Sequence, residues 1–373
     1  MNQQQRFLSL DVFRGMTVCF MIIVNTPGSG AEPFAMLNHA AWHGFTPTDL
    51  VFPSFLFAVG NAMSFSMKKF TQMDNSTVLA KILKRTLLIF LIGYLMYWFP
   101  FFSYNEGGGI SFSPVANTRI LGVLQRIALC YGIASLLIHY LSTRSVIIIS
   151  LLFLIGYWVA LLLFGDATDP FSMTGNAGQY LDLYVLGDKH MYHGEGIAFD
   201  PEGILSTIPS CVNVIIGYFA GKFIQEKGKG FETISKLLLA GGLLILIAIC
   251  LNPVFPINKK LWTSSFVLVT CGLDLVIIGA LIYVIEVKSY TKWTSFFTVF
   301  GKNPLFIYIV SEVLLTIIGV IVPGLDFRGW ISTKFFQVIA PGPVGSLLFA
   351  ICFMLTCWLV GYILDKRKIY IRV

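Results

Sequence analysis

Residues 145–165 read SVIIISLLFLIGYWVALLLFG, 21 positions without an Asp, Glu, Lys or Arg. A helix of roughly 20 apolar residues is long enough to cross a lipid hydrocarbon core. Runs of this kind recur along the chain. Ten spans are expected, near residues 9–26, 50–67, 83–102, 118–140, 145–165, 204–224, 236–252, 264–286, 299–322 and 343–364. The first is short and starts with Asp11 and Arg14, so a tilted or interfacial placement is expected for it.

Composition agrees with this pattern. Of 373 residues, 56% are hydrophobic and 12% are charged, about half the charge density of a soluble domain at roughly 25%. Mean hydropathy is +0.78. A soluble enzyme, a disordered regulator and a secreted disulfide scaffold are excluded together. The fold class is an all-α polytopic membrane bundle, with residues 1–373 as one domain. The net charge of +7 does not point to nucleic acid, because the basic residues fall in short clusters between apolar runs. With the N-terminus in the cytoplasm, 18 of the 26 Lys and Arg lie on the cytoplasmic side and six outside. That split puts both termini inside. No small-residue cleavage site follows the first apolar run, which reads as a retained helix. The seven cysteines lie mostly in apolar segments and show no metal spacing.

Two outer loops stand apart. Residues 27–48 are dense in Gly, Pro, His and Trp. Residues 166–203 hold seven of the 19 acids (Asp166, Asp169, Asp182, Asp188, Glu195, Asp200 and Glu202) against the single Lys189. A loop of that length in a tight bundle is usually functional.

Polar residues at membrane depth are expensive and call for a partner or a function. They are Asp11, Arg14, Asn25, Asp49, Asn61, Arg119, Gln125, Arg126, Asp274, Lys302, Asn303 and Glu312. Pairing within the bundle is the simpler explanation for each one alone. Asp11 and Arg14, three apart, suit a local ion pair. Arg126 is too deep to snorkel and calls for an acidic partner or an anionic ligand group. His139 sits at a helix end, where a cation suits the dipole. His190 and His193 have the spacing of two metal ligands without a third, and no metal is expected. His39 and His43 are four apart, beside Trp42, and read either as a metal pair if helical or as a proton acceptor at the membrane surface.

The stretch RFLSLDVFRGMTVCFMIIVN (6–25), followed by NHAAWHGFTPTDLVFPSFLFAVG (38–60), resembles the transmembrane acyltransferases of the heparan-α-glucosaminide N-acetyltransferase family. GVLQRIA (122–128), DPEGILSTIPS (200–210) and GKNPLFIYIVSE (301–312) fit the same family, in order. The resemblance implies transfer of an acetyl group from acetyl-CoA to the amino group of a terminal glucosamine, across a membrane. It matches the family's active histidine to His39, three residues before the Trp of H-x-x-W-x-G, and the family's catalytic Asn to Asn25. The Asn that follows this Trp in the lysosomal enzyme is His43 here. The lysosomal member also has a luminal N-terminal domain and one more span, so ten spans rather than eleven are expected.

The residue chemistry suits that implication. A histidine, with an ordinary pKa of about 6.5, can take a proton from an amine or carry the acetyl group as an acyl-imidazole. A neutral amide such as Asn25 can donate to a carbonyl oxygen that gains charge. The phosphates of CoA need cations, for which Arg126, Arg119, Arg14 and Lys302 are the candidates, with the neutral amide of Gln125 also placed on the cofactor side. Trp42, His43, Asp49 and Asp200 are candidates on the acceptor side. Asp49 either caps a helix or holds the substrate, and Asp200 is expected to cap one.

Two alternatives stay open: transfer to a hydroxyl of an envelope glycan, and a transporter or flippase using Asp274, Glu312 and Arg126. The special residues cluster at one outer rim, which favours an enzyme. A bacterial inner membrane is the expected location and a homodimer a plausible assembly.

Overall fold

The computed structural model describes residues 7–104, 109–321 and 326–371. Arg6 and Arg372, both counted on the cytoplasmic side, lie outside the described residues.

Long helices dominate: α1 (Leu8–Asn25), α2 (Pro47–Phe70), α3 (Asn75–Trp98), α4 (Val123–Tyr140) and α5 (Thr143–Phe164). The short α6 (Ala177–Val185) precedes α7 (Ile204–Lys227) and α8 (Phe231–Leu251), and α9 (Ser264–Leu281) runs on through a π-helical turn at Ile282–Val287. After these come α10 (Thr294–Lys302), α11 (Pro304–Ile321), the short α12 (Phe327–Ile331) and α13 (Gln337–Ile339), and α14 (Pro343–Lys366). An antiparallel hairpin pairs β1 (Phe102–Tyr104) with β2 (Ile110–Phe112).

Nine of the helices among the described residues are long and apolar enough to cross a membrane. The remaining expected span, the third, falls on α3, which is equally long but carries Lys81, Lys84 and Arg85 in its first half. The expected third span ran to residue 102, but the helix stops at Trp98 because Pro100 offers no N–H to continue it. The expected fourth span began at 118, whereas α4 starts at Val123, after a loop in which Ile120 N–H donates to the His190 carbonyl. The ninth divides into α10 and α11 at Asn303, just before Pro304. Asn303 makes the break good by accepting from Ile371 N–H and donating to the Ile369 carbonyl.

Small residues let the helices close up, as expected where lipid removes most of the hydrophobic drive between them. A Cβ on Gly60 of α2 would come 2.0 Å from the Val214 carbonyl oxygen of α7, and one on Gly217 would meet the Phe57 oxygen at 2.2 Å. Across α1 and α10, a Cβ on Gly15 would stand 1.9 Å from the Phe297 oxygen. α7 packs on α2, α4, α5 and α9, so it is the central post of the bundle. The helix ends nearest Asn25, Pro47, Val123, Ile204 and Ser264 converge on one loop-rich end.

Candidate active site

Asp49 organises this end. Thr46 and Asp49 form a capping box that starts α2, with Asp49 Oδ2 accepting from Thr46 N–H at 2.9 Å and Ala40 N–H at 3.2 Å. Its other oxygen, Oδ1, lies 2.7 Å from His39 Nδ1. Asp49 is fully buried, whereas the His39 side chain is 41% exposed. The loop carrying His39 is stapled to the helix it precedes by Thr46 Oγ1 donating to the Asn38 carbonyl at 2.8 Å and Thr48 Oγ1 to Met36 at 3.0 Å. Of the two alternatives for Asp49, the cap on α2 is present, and its remaining oxygen lies against His39.

His39, Asn25, Glu202 and Lys259 line one cavity of about 60 Å³ together with Thr48, Phe52 and Val123. Asn25 comes from the last residue of α1, and its Nδ2 donates to Glu312 Oε1 at 3.5 Å. Lys259 comes from the turn between α8 and α9, and its Nζ lies 2.9 Å from His39 Nε2. Burial pulls the Lys259 pKa down to about 8, against the attraction of Asp49 and Glu202.

Glu202 reaches the cavity from a buried charge cluster. Arg119 donates to both Asp200 oxygens, at 2.6 and 3.0 Å, and to Glu202 Oε2 at 2.6 Å. Its guanidinium also lies over the Tyr97 and Tyr192 rings, 5.0 and 4.7 Å from their centroids. Burial opposes a charge on Glu202, but Arg119, Arg126 and Lys259 outweigh it and hold the carboxyl below its ordinary range. Glu202 is thus the ionised acid of the cavity. Asp200 does not cap α7, contrary to expectation, because Arg119 takes its carboxylate. Asp182 fills the capping place instead, with Oδ1 accepting from Ile204 N–H at 2.9 Å.

The other expected residues lie around this centre. Trp42 donates from Nε1 to the Phe171 carbonyl at 2.9 Å and meets the Phe199 ring edge-on, pinning the first outer loop to the second. His43 lies against the Asn258 side chain at 3.3 Å. Arg126, one turn below Val123, is buried without a carboxylate in ion-pairing reach among the described residues. It donates to Ser206 Oγ and the Gly203 carbonyl, and its guanidinium covers the Trp262 ring. Its Nε and Nη1, and both amide atoms of the neighbouring Gln125, are buried without a hydrogen-bond partner. Arg14 and Lys302 sit at the opposite end of α1. There Arg14 pairs with Asp11 at 2.7 Å and donates to the Gly301 carbonyl, while Lys302 pairs with Asp365 at 2.7 Å.

Lys259 was visible in the sequence only as a basic residue on the outer side, and Arg119 only as a candidate for the CoA phosphates rather than as the partner of two acids. Lys259 is 220 positions from His39, and no local spacing could join them. Glu202 did carry a signal, since it lies within DPEGILSTIPS.

Residues 6–249 match the family model described as heparan-alpha-glucosaminide N-acetyltransferase, catalytic. The chain belongs to that family. The human heparan-alpha-glucosaminide N-acetyltransferase is 31% identical over 83% of this chain and 53% of its own length. The mouse protein of the same name is 30% identical over 84% and 54%. The chain therefore spans about half the length of the curated relatives it matches. The matched region contains Asn25, His39, Asp49, Arg119, Arg126 and Glu202, and the family match ends before Lys259.

Proposed function

We propose that this chain is an integral-membrane acetyltransferase that moves an acetyl group from acetyl-CoA to the amino group of a glucosamine-type sugar on the far side of the membrane. The observation that carries the reading is the Asp49–His39 pair facing the same cavity as Asn25. Asp49 takes the Nδ1 side of the ring, so Nε2 is the atom that accepts the proton of the attacking amine. The same nitrogen could carry the acetyl group in passing. Asn25 donates its amide N–H to the carbonyl oxygen as charge develops there. Glu202, held ionised, attracts the sugar ammonium before it loses its proton. Trp42, His43 and Asp200 shape the acceptor side by holding the two outer loops and Arg119 in place.

For acetyl-CoA, the cavity suits the reacting acetyl end, and the unpartnered guanidinium N–H groups of Arg126 are the buried feature that best fits an anion. Gln125 adds a free amide beside it. Arg14 and Lys302 would serve phosphates only from the opposite face. The cosubstrate supplies the activated acyl group; the residues named here hold it, exclude water and move the proton.

The test is turnover of acetyl-CoA with glucosamine by purified protein, wild type against His39→Ala. N-acetylglucosamine from wild type alone supports the reading. No product with any amine or sugar tested would sink it and bring the transporter alternative forward.

A further inference from the structure

The cavity already contains an amine. Lys259 Nζ lies 2.9 Å from His39 Nε2 and 3.1 Å from Nδ1. A nitrogen nearly equidistant from both ring nitrogens lies beside the imidazole and off the Nε2 lone-pair axis, so a turn of the Lys259 side chain brings its proton into line with Nε2. Asp49 occupies the Nδ1 side, which leaves Nε2 as the atom open toward Lys259.

The position of this side chain is built into the fold. Lys259 lies in a turn closed by Trp262 N–H donating to the Lys259 carbonyl at 3.0 Å and by Thr263 N–H donating to the Asn258 carbonyl at 3.1 Å. Within the same turn, Asn258 N–H donates to Thr263 Oγ1 at 3.0 Å, and Asn258 Oδ1 accepts from Leu261 N–H at 2.8 Å. The adjacent Lys260 points elsewhere, to Glu195 Oε2 at 2.6 Å and the Ala41 carbonyl at 3.0 Å. The two neighbouring lysines thus have different surroundings, since Lys260 neutralises an acid and Lys259 faces an imidazole. With its pKa pulled down to about 8 by burial, Lys259 is free base in roughly a tenth of molecules at pH 7.

We propose that Lys259 is an internal acetyl acceptor: with an acetyl thioester in the His39 cavity and no sugar amine present, the acetyl group passes to Lys259 Nζ. This rests on the acetyltransferase reading above. The Nζ lone pair forms the new N–C bond to the acetyl carbonyl carbon, and the C–S bond breaks. One N–H proton passes to His39 Nε2 and from there to the departing thiolate. The net change is amine plus thioester to acetamide plus thiol. The neutral acetamide then fills space beside His39, Asn25 and Glu202, and the modified molecule no longer transfers to glucosamine. A sugar amine in the cavity displaces Lys259 and protects it.

The experiment incubates the purified full chain in detergent with isotope-labelled acetyl-CoA, with and without glucosamine, and maps label by peptide mass spectrometry. One labelled acetyl group is expected at Lys259 of wild type, with Lys260 as the internal reference. The label should decrease when glucosamine is added, form faster as pH rises toward about 8, and be lost in Lys259→Arg. In His39→Ala its rate should drop by about 10²-fold. Formation of N-acetylglucosamine while Lys259 stays unlabelled would overturn the proposal and leave the acetyltransferase reading standing. Equal labelling of Lys259 in wild type and His39→Ala would also overturn it, as unassisted chemistry. If neither glucosamine nor Lys259 is acetylated, the acetyltransferase reading itself fails. Label on Lys259 that depends on His39, without a sugar product, supports the proposal and removes glucosamine as the acceptor.

Discussion

Asp49 Oδ1 lies 2.7 Å from His39 Nδ1, while Asp49 Oδ2 accepts the Thr46 and Ala40 N–H groups that begin α2. One buried carboxylate therefore ties the geometry of the proposed base to the start of a membrane helix. Asp49→Asn should lower acetyl transfer by about 10²-fold or more, because the imidazole loses the partner that sets its tautomer. The same change weakens the capping box by about 1 kcal/mol. Turnover measured beside thermal stability separates the two effects, since the second is too small to explain the first.

Glu202 faces the cavity from the Arg119 cluster. Glu202→Gln keeps its size and removes the charge that would hold an ammonium. The expected result is a rise of roughly tenfold or more in KM for glucosamine, with a smaller change in KM for acetyl-CoA. Equal effects on both would argue that Glu202 acts through the fold alone.

Arg119 is partly buried against two carboxylates and two tyrosine rings. Arg119→Met leaves Asp200 and Glu202 unpaired in a buried place, at a cost of about 3–5 kcal/mol. Size-exclusion chromatography of the detergent extract should show loss of the monodisperse peak, most severely at neutral pH, where both acids would carry charge.

Asp182 is buried, and its pKa is pushed up to about 7 by burial, partly offset by the Ile204 N–H it accepts. An acid whose pKa is raised on folding contributes stability below its unfolded pKa, near 4, and loses it as pH rises through about 7. Wild type should therefore melt at lower temperature as pH goes from about 4 to 8. Asp182→Asn, which keeps the oxygen that caps α7, should flatten that dependence, by on the order of 4 kcal/mol. An unchanged pH slope in the variant would remove Asp182 as its cause.

Gly60 of α2 stands against the backbone of α7, whereas a Cβ on Gly156 of α5 would meet nothing within 4 Å. Gly60→Ala should destabilise by about 1–3 kcal/mol and, because α2 carries Asp49, should also lower activity per folded molecule. Gly156→Ala is the control and should leave the melting temperature nearly unchanged.

The apolar runs by themselves determined that the chain is a helical membrane protein, because a bilayer demands about 20 apolar residues per crossing wherever they occur. Motifs shorter than about 25 residues carried the family, and with it Asn25 and His39. The start of α2 was legible from the acid at Asp49, whereas the end of α3 before Pro100 and the break at Asn303 before Pro304 were missed, because apolar residues run on past both prolines. What the sequence did not contain was which charges meet. Arg119 finds Asp200 and Glu202 across 81 and 83 positions, and Lys259 finds His39 across 220. Local spacing sets helices and caps through contacts a turn apart. The pairing of buried charges is decided only when the whole bundle closes and every ion must find a partner out of water.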